Sequence, residues 1–259
     1  MASGFFSLRD EWLTIEMGKA VYQFRHRVDP VIQLDTWLVQ EISINGIVVM
    51  SGTDVEGPIK QVGTADFTGG IHGDEQFFHV QILADGCEIA PSGEAPRTPF
   101  DRIDLFVGSH LFFCDTNRTS FERHKHLLFA ENRVVISNAM TYLGEEPYHV
   151  YRWPANGIFS LYKDTMNGYT TNQSCRLIND KGTPADKSID TVSFYGDHFC
   201  VTIRSLAAKY DSYLGWVTDF YMEKRPRFKA YFDTLDNANG DVILKQGQEI
   251  LASYEIWIV

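Results

Sequence analysis

Hydrophobic and polar residues alternate with a period of two along most of the chain, and helical periodicity is almost absent. The alternating segments are short and are separated by turn residues, as in a protein built from about a dozen strands. Asn45-Gly46 gives the strongest hairpin signal, and further turns are predicted at Met17-Gly18-Lys19 and Ala130-Glu131-Asn132. The best helical candidate is the short segment 205–213. The pattern therefore predicts an all-β protein.

The chain shows no repeat of fixed period, no low-complexity tract and no linker that divides the strands into two groups. We therefore expect residues 1–259 to form a single domain. A dozen antiparallel strands in one domain favour two packed sheets, in a β-sandwich of the jelly-roll or concanavalin A-like kind. The last strand, over residues 254–259, is expected to pair beside an N-terminal strand.

Composition narrows the functional classes. The net charge is −11, which argues against a general nucleic-acid binder. The first ten residues lack the basic start and apolar stretch of a signal peptide, and no window approaches the ~18 apolar residues of a membrane span. The four cysteines lack zinc-finger spacing. Aromatic residues make up 14% of the chain, which suits strands and flat binding surfaces.

Candidate chemistry is concentrated in residues 66–75, Asp-Phe-Thr-Gly-Gly-Ile-His-Gly-Asp-Glu. Three glycines permit left-handed backbone or close approach, and His72, Asp74 and Glu75 lie among them. The alternative interpretation is a tight turn with solvated charges. In the functional interpretation His72 is a catalytic residue, and Asp74 and Glu75 bind substrate.

The string Gly-Gly-Ile-His-Gly-Asp-Glu resembles the zinc-binding turn of the metallocarboxypeptidases and the aspartoacylase-like deacylases. That resemblance implies a zinc ion held by His72 and Glu75 with a distant histidine, and an open position for water. In those families the turn leads into a helix, whereas here it leads into a predicted strand, Phe77-Phe-His-Val-Gln-Ile-Leu. We therefore predict no metal cofactor, while the His72/Glu75 pair leaves a zinc-dependent hydrolase open as an alternative.

The densest basic stretch of this acidic protein runs from Arg118 to Arg133. On a strand, Arg123 and Lys125 point to one face, and His124 and His126 point to the other. The sequence does not say which face lines a groove. A solvated strand near a sheet edge is the alternative to a binding site. Later strands place further polar side chains opposite apolar ones, and these are Arg204, Lys229 and Tyr231.

The runs 124–138 and 160–166 resemble the central strands of jelly-roll polysaccharide lyases and of phage tail depolymerase modules. The resemblance implies cleavage of a uronate-containing polysaccharide by β-elimination, which needs a carboxylate neutraliser, a base and an acid. His72 would be the base or neutraliser and Tyr162 the acid/base, with Arg123 and His126 completing the predicted catalytic set as substrate anchors. The predicted substrate-binding residues are Asp74, Glu75, His124, Lys125, Arg204, Lys229 and Tyr231.

A non-catalytic carbohydrate- or receptor-binding module of the phage tail fibre type is the principal alternative, because fold does not fix function. The predicted partner is an acidic polysaccharide, with no nucleic acid and no membrane. The lyase and tail-fibre resemblance also implies an extracellular or virion-associated protein and leaves an oligomer open.

Overall fold

The computed structural model describes residues 3–51, 57–114, 116–153, 158–171, 175–177, 190–208, 214–220, 227–233, 235–236 and 241–259. At 158–160, 175–177, 207–208, 214–220, 227–233 and 236 it describes the backbone alone. Over these residues the chain is built from strands, with two 3₁₀ turns at Gly70–His72 and Lys163–Thr165. No helix in the described ranges is long and apolar enough to cross a bilayer.

Twenty-three strands follow in chain order. The first twelve are β1 Gly4–Arg9, β2 Trp12–Met17, β3 Ala20–Asp29, β4 Leu34–Ile44, β5 Ile47–Ser51, β6 Lys60–Gln61, β7 Glu75–Ala84, β8 Cys87–Ile89, β9 Ala95–Phe100, β10 Arg102–Phe112, β11 Thr119–Ala130 and β12 Arg133–Tyr142. The others are β13 Tyr148–Trp153, β14 Ile158–Tyr162, β15 Gly168–Thr171, β16 Cys175–Leu177, β17 Thr191–Tyr195, β18 Cys200–Ala208, β19 Leu214–Phe220, β20 Arg227–Asp233, β21 Leu235–Asp236, β22 Val242–Leu244 and β23 Glu249–Ile258.

Sixteen strands form one hydrogen-bonded path, in the order β16-β15-β17-β18-β23-β12-β11-β10-β7-β4-β3-β2-β1-β9, with β5 beside β4 and β8 beside β7. The pairing is antiparallel except between β4 and β7, where two residue pairs are parallel. This short parallel contact divides the path into two layers. The first layer contains β1–β5 and β9, and the second contains the remaining strands of the path.

The two layers pack face to face. The ring centroid of Phe129 on β11 lies 5.4 Å from that of Tyr22 and 5.6 Å from that of Phe24, both on β3. Because β3 and β11 are not neighbours along the path, these contacts cross from one layer to the other. One hydrophobic core joins residues from β1 through β23 between the layers. The predicted all-β sandwich is therefore confirmed.

A second, smaller core lies at one end of the second layer. There, β13 with β6, β21 and β22 forms a four-stranded sheet that packs on β11, β12 and β23 around the fully buried Trp153 and Phe121. A three-stranded sheet, β14-β20-β19, is the third sheet of the described residues.

The predicted hairpin turns are confirmed. Asn45 and Gly46 join β4 to β5, with φ values of 52° and 76°. Glu131 and Asn132 join β11 to β12 at φ values of 53° and 61°. These left-handed pairs match the twist of the strands that they connect.

Two local predictions are wrong. Residues 205–208 continue β18 and are not helical, because their backbone pairs with β23; residues 209–213 lie outside the described ranges. Strand β23 pairs with β12 and β18 in the second layer, and not with an N-terminal strand.

A partly buried imidazole lies where the two layers meet. His26 on β3 bonds through Nε2 to Asp35 Oδ1 at 2.7 Å and through Nδ1 to Glu11 Oε1 at 3.1 Å. Its ring stacks on Trp37 of β4 and meets the edge of Phe77 of β7. Burial lowers the pKa of His26, but the hydrogen bonds to Asp35 and Glu11 outweigh burial, and the net shift is upward.

We expect His26→Gln to lower the free energy of unfolding in a pH-dependent way. Because the pKa of His26 is raised in the folded protein, its protonation stabilises the folded state fully at pH values below the ordinary pKa of 6.5. This stabilisation is lost as the pH rises through the pKa of the folded protein. The wild-type advantage, about 1 kcal/mol or less for a half-exposed pair, should therefore be larger at pH 5.5 than at pH 8.5. Urea unfolding at both pH values measures it, and an advantage that grows with pH would contradict this reading.

Candidate functional site

A shallow groove of about 820 Å³ runs across the outer face of the second layer, over β7, β10, β11, β12 and β23. We call it the sheet groove. Two cross-strand rows of paired residues line it. The first row is His79, Gly108, His124, Ala139 and Leu251, and the second is Gln81, Phe106, His126, Ser137 and Ser253.

The groove lies where the side chains of these rows are small. Gly108, Ala139, Ser137 and Ser253 contribute little or no side-chain volume. Gly108 stands at a bulge in the pairing of β10 with β7, and a Cβ there would lie 2.7 Å from the ring of Phe78. Phe78 is 48% exposed beside the groove. A glycine inside a strand often marks a bulge or a place where another group approaches the backbone, and here it has both roles.

His126 is the best-oriented polar group of the groove. Its Nε2 lies 2.7 Å from Asp104 Oδ1, and its ring stacks on Phe106 at 4.2 Å between centroids. The neighbour of His126 on the other side is Ser137, which is too small to cover the second face of the ring. The Asp104 carboxylate accepts a hydrogen bond from the Nε2–H group of His126. In the neutral imidazole, Nδ1 is therefore a hydrogen-bond acceptor.

Asp104 is in turn held by Arg102. The guanidinium donates from Nε to Oδ2 at 2.6 Å and from Nη2 to Oδ1 at 2.7 Å. The hydrogen bond from Arg102 lowers the pKa of Asp104, burial opposes it, and the hydrogen bond from His126 adds to the lowering. Asp104 is therefore ionised near neutral pH, and the chain from Arg102 through Asp104 fixes the orientation of His126.

The opposite face of β11 carries a buried ion cluster, which consists of Glu75, Arg123 and Lys125. Arg123 and Glu75 have fully buried side chains and form an ion pair, and Lys125 Nζ lies 3.6 Å from Glu75 Oε1. Glu75 also accepts hydrogen bonds from Ser109 Oγ at 2.7 Å and from Thr36 Oγ1 at 3.2 Å. Along the inward face of β11 the cluster separates the two hydrophobic cores.

Burial alone would raise the pKa of Glu75. The positive charges of Arg123 and Lys125, with the hydrogen bond from the Gly70 N–H, outweigh burial and hold that pKa far below its ordinary value. Glu75 is thus an anion near neutral pH, and Arg123 and Lys125 share its single negative charge. The Glu75 carboxylate contacts only buried groups of the protein among those described above, and Arg123 and Lys125 both contact this carboxylate.

The glycine-rich turn wraps over this cluster. The Gly70 N–H donates to Glu75 Oε2 at 2.7 Å, and a Cβ on Gly69 would lie 3.1 Å from Arg123 Nη1. Gly73, at φ 87°, packs so closely on the backbone of Ile32 that a Cβ would come within 1.9 Å of its carbonyl oxygen. The three glycines therefore serve the close packing of this turn.

His72 lies on this turn and is not a lining residue of the sheet groove. Its Nδ1 is 3.0 Å from Asp66 Oδ1, and its ring contacts Phe67. Asp74 is buried with a left-handed φ of 51°; its N–H donates to Ile32 and its carbonyl oxygen accepts from Phe112. The structure thus does not bring His72 together with His124 and His126.

The remaining predicted residues lie in other places. Tyr162 is buried and hydrogen-bonds to Ser51. Arg204 pairs with Glu255 on the row next to the groove. Lys229 and Tyr231 lie on β20, and their side chains are outside the described residues. Of the predicted catalytic set, His126 alone lines the groove among the described residues. Two predicted substrate-binding residues also line it, the exposed His124 and the buried Lys125.

The zinc interpretation finds no support in this geometry. Glu75, which would be a ligand, is enclosed by Arg123, Lys125 and hydroxyl donors. Among the described residues, no group of three or more His, Cys, Asp and Glu side chains is arranged to hold a metal ion. The protein also lacks the strand-to-helix context of the families that the motif resembles, since the turn leads into β7.

Several groove residues were missed by sequence reasoning: His79, Gln81, Phe106, Gly108, Ser137 and Ser253. One signal could have found them. Gly108 interrupts the strand Phe106-Val-Gly-Ser-His, and such a glycine indicates a bulge or a close approach.

The fold is similar to that of several larger solved structures. The GH36 α-galactosidase AgaB from Geobacillus stearothermophilus matches with a TM-score of 0.58 at 8% identity, over 98% of this chain and 41% of that chain. The galactosidase domain of the α-galactosidase-sucrose kinase AgaSK matches at 0.56 and 12%, over 98% and 41%. The α-galactosidase from Lactobacillus brevis matches at 0.55 and 9%, over 98% and 39%.

No family model matches the chain, and no curated protein matches it. The chain spans about two fifths of the length of the similar solved structures. At these identities the similarity is one of fold. The three solved structures named above are galactosidases, whereas the sequence pattern resembles lyases.

Proposed function

We propose that this protein binds carbohydrate in the sheet groove, as a carbohydrate-binding β-sandwich. The observation that carries the proposal is the groove itself, in which oriented imidazoles, a carboxamide and two serines surround a floor of small residues. Sugars are recognised by such combinations of hydrogen-bonding groups with an aromatic ring nearby, a place that Phe78 fills here.

The similar solved structures support a carbohydrate-related role, since they are named as α-galactosidases. This chain spans only part of their length, so their activity does not transfer to it. A binding role also agrees with the separation of His72, Arg123 and Tyr162 from the groove. The single domain, a virion-associated location and an oligomer remain predictions.

We expect His126→Ala to weaken saccharide binding about tenfold, because the variant loses one oriented hydrogen bond worth about 1.4 kcal/mol. A glycan array identifies the ligand, and titration calorimetry then gives the affinities. His149→Ala is the matched control, since His149 is an exposed strand histidine on β13, away from the groove. If His126→Ala and His149→Ala bound the saccharide with equal affinity, the groove would not be the binding site.

A polysaccharide lyase is the second candidate, and the His126–Asp104 pair is the observation that favours it. In β-elimination an imidazole held by a carboxylate can act as the base. The predicted acid, Tyr162, lies away from the groove, so another group would have to protonate the leaving oxygen. Incubation with a panel of uronate polysaccharides tests it. Absorbance of an unsaturated product that depends on His126 would establish the lyase, and its absence across the panel would leave the binding role.

A further inference from the structure

We infer that the sheet groove selects a neutral saccharide chain and discriminates against uronate or sulfated chains. This inference rests on the proposed function and names its ligand class. It departs from the acidic polysaccharide predicted from the sequence, because the basic stretch that motivated that prediction is divided between the two faces of β11.

The charged ends of Arg123 and Lys125 are buried on the face of β11 opposite the groove. Lys125 lines the groove but is 3% exposed, and its ammonium group lies near Glu75. Arg123 is fully buried in the same cluster. Recognition of carboxylate or sulfate groups along a polymer uses exposed Arg and Lys side chains. Among the described lining residues, no arginine and no exposed lysine is present.

The charges at the adjoining row are already paired within the protein. Asp104 is bound by Arg102 and His126. Glu255, nearly fully buried, pairs with Arg204 and lies 3.7 Å from Arg133. These arginines therefore neutralise carboxylates of the sheet. With a net charge of −11 on the whole chain, a polyanion would meet net repulsion.

What the groove offers suits hydroxyl groups. Imidazoles, the carboxamide of Gln81 and the hydroxyls of Ser137 and Ser253 combine donors with acceptors, as the hydroxyls of a neutral sugar do. The five strands span about 19 Å at the usual strand spacing, and the two rows lie about 7 Å apart. These dimensions suit one extended oligosaccharide that crosses the strands.

Matched ligand pairs test the inference on the full chain. Each pair compares a neutral oligosaccharide with the uronate oligosaccharide of the same linkage. The pairs are oligomannose and oligomannuronate, oligogalactose and oligogalacturonate, and cello-oligosaccharide and oligoglucuronate. Affinities are measured at low and high salt. The groove is blocked by Ser137→Ile, and Ser7→Ile is the control, since Ser7 is a half-buried serine on the outer face of β1.

We expect at least one neutral member to bind about tenfold or more tightly than its uronate partner. Its affinity should change little with salt, because no ion pair is screened. Ser137→Ile should abolish binding and Ser7→Ile should not. Uronate members that bind more tightly, weaken with salt and still require an open groove would overturn the ligand class alone. Binding of no pair, or binding that Ser137→Ile leaves intact, would overturn the proposed function as well.

Discussion

Replacing Glu75 with glutamine is expected to lower the free energy of unfolding by about 3–5 kcal/mol, the range for breaking a buried ion pair on one side. The substitution keeps the shape of the side chain but leaves Arg123 and Lys125 buried without their shared anion. It also weakens the hydrogen bonds from Ser109, Thr36 and the Gly70 N–H. Chemical unfolding followed by circular dichroism measures the change.

Glu16→Gln is the matched control, because Glu16 is a carboxylate in a bidentate pair with Arg97 at the surface. It should cost only a small fraction of the Glu75→Gln change. Should Glu75→Gln fail to fold, a Glu75→Leu/Arg123→Leu/Lys125→Met variant still tests the cause. Removing all three charges should restore much of the stability, since apolar replacements of buried ion clusters are often tolerated. Equal losses in Glu75→Gln and Glu16→Gln would contradict the buried cluster.

The same carboxylate predicts acid sensitivity. Because the pKa of Glu75 is lowered in the folded protein, the ionised carboxylate stabilises the folded state fully at pH values above the ordinary pKa of 4.5. This stabilisation is lost progressively as the pH falls toward the pKa of the folded protein. Glu75→Gln has no proton to gain at this position. The stability difference between wild type and the variant should therefore narrow from pH 6 to pH 3.

Gly73→Ala is expected to produce the second large effect, a loss of stability of several kcal/mol or a failure to fold. Gly73 has φ 87° and ψ −155°, a backbone combination that is essentially restricted to glycine and costs other residues about 1–3 kcal/mol. At Gly73 a Cβ would additionally lie 1.9 Å from the Ile32 carbonyl oxygen and 2.7 Å from the Ile32 Cβ. The Asp74 N–H donates to that same carbonyl, so neither segment can move without loss of the hydrogen bond.

Gly63→Ala is the control for Gly73→Ala. Gly63 has the same φ of 87°, and a Cβ there would meet nothing within 4 Å. It should therefore show the cost of a positive φ without a clash, and a much larger loss in Gly73→Ala reflects the contact with Ile32 together with the glycine-only backbone of Gly73. Thermal unfolding of both proteins gives that difference. Two equal losses would mean that the turn relaxes away from Ile32.

The strands and their turns were predictable because both depend on neighbouring residues. The alternation of side chains placed Arg123 and Lys125 on one face of β11 and His124 and His126 on the other. The Asn45-Gly46 hairpin followed from local backbone preference. Pairings between distant segments were not predictable in this way: the position of β23 between β12 and β18 depends on packing across the whole layer, and the last strand was placed wrongly.

The candidate site was predicted only in part, for a related reason. Which face of β11 is buried depends on the opposing layer, so the sequence alone did not separate interior cations from groove histidines. Glycine and charge in residues 69–75 suggested chemistry, whereas in the structure they hold a tight turn around Glu75. The groove depends largely on small residues such as Ser137 and Ala139, which carry no chemical signal in a sequence.

The place of β23 has a consequence for the order of synthesis on the ribosome. Strand β12 pairs locally with β11, but its other edge is completed by β23, and residues 143–248 are made between them. Until residues 249–258 emerge, the apolar edge around Val134 and Ile136 stays open to wrong partners, a hazard for any nascent sheet. Leu251 and Ser253 also arrive with that strand. A nascent chain therefore closes this edge of β12 in the same step that completes the groove.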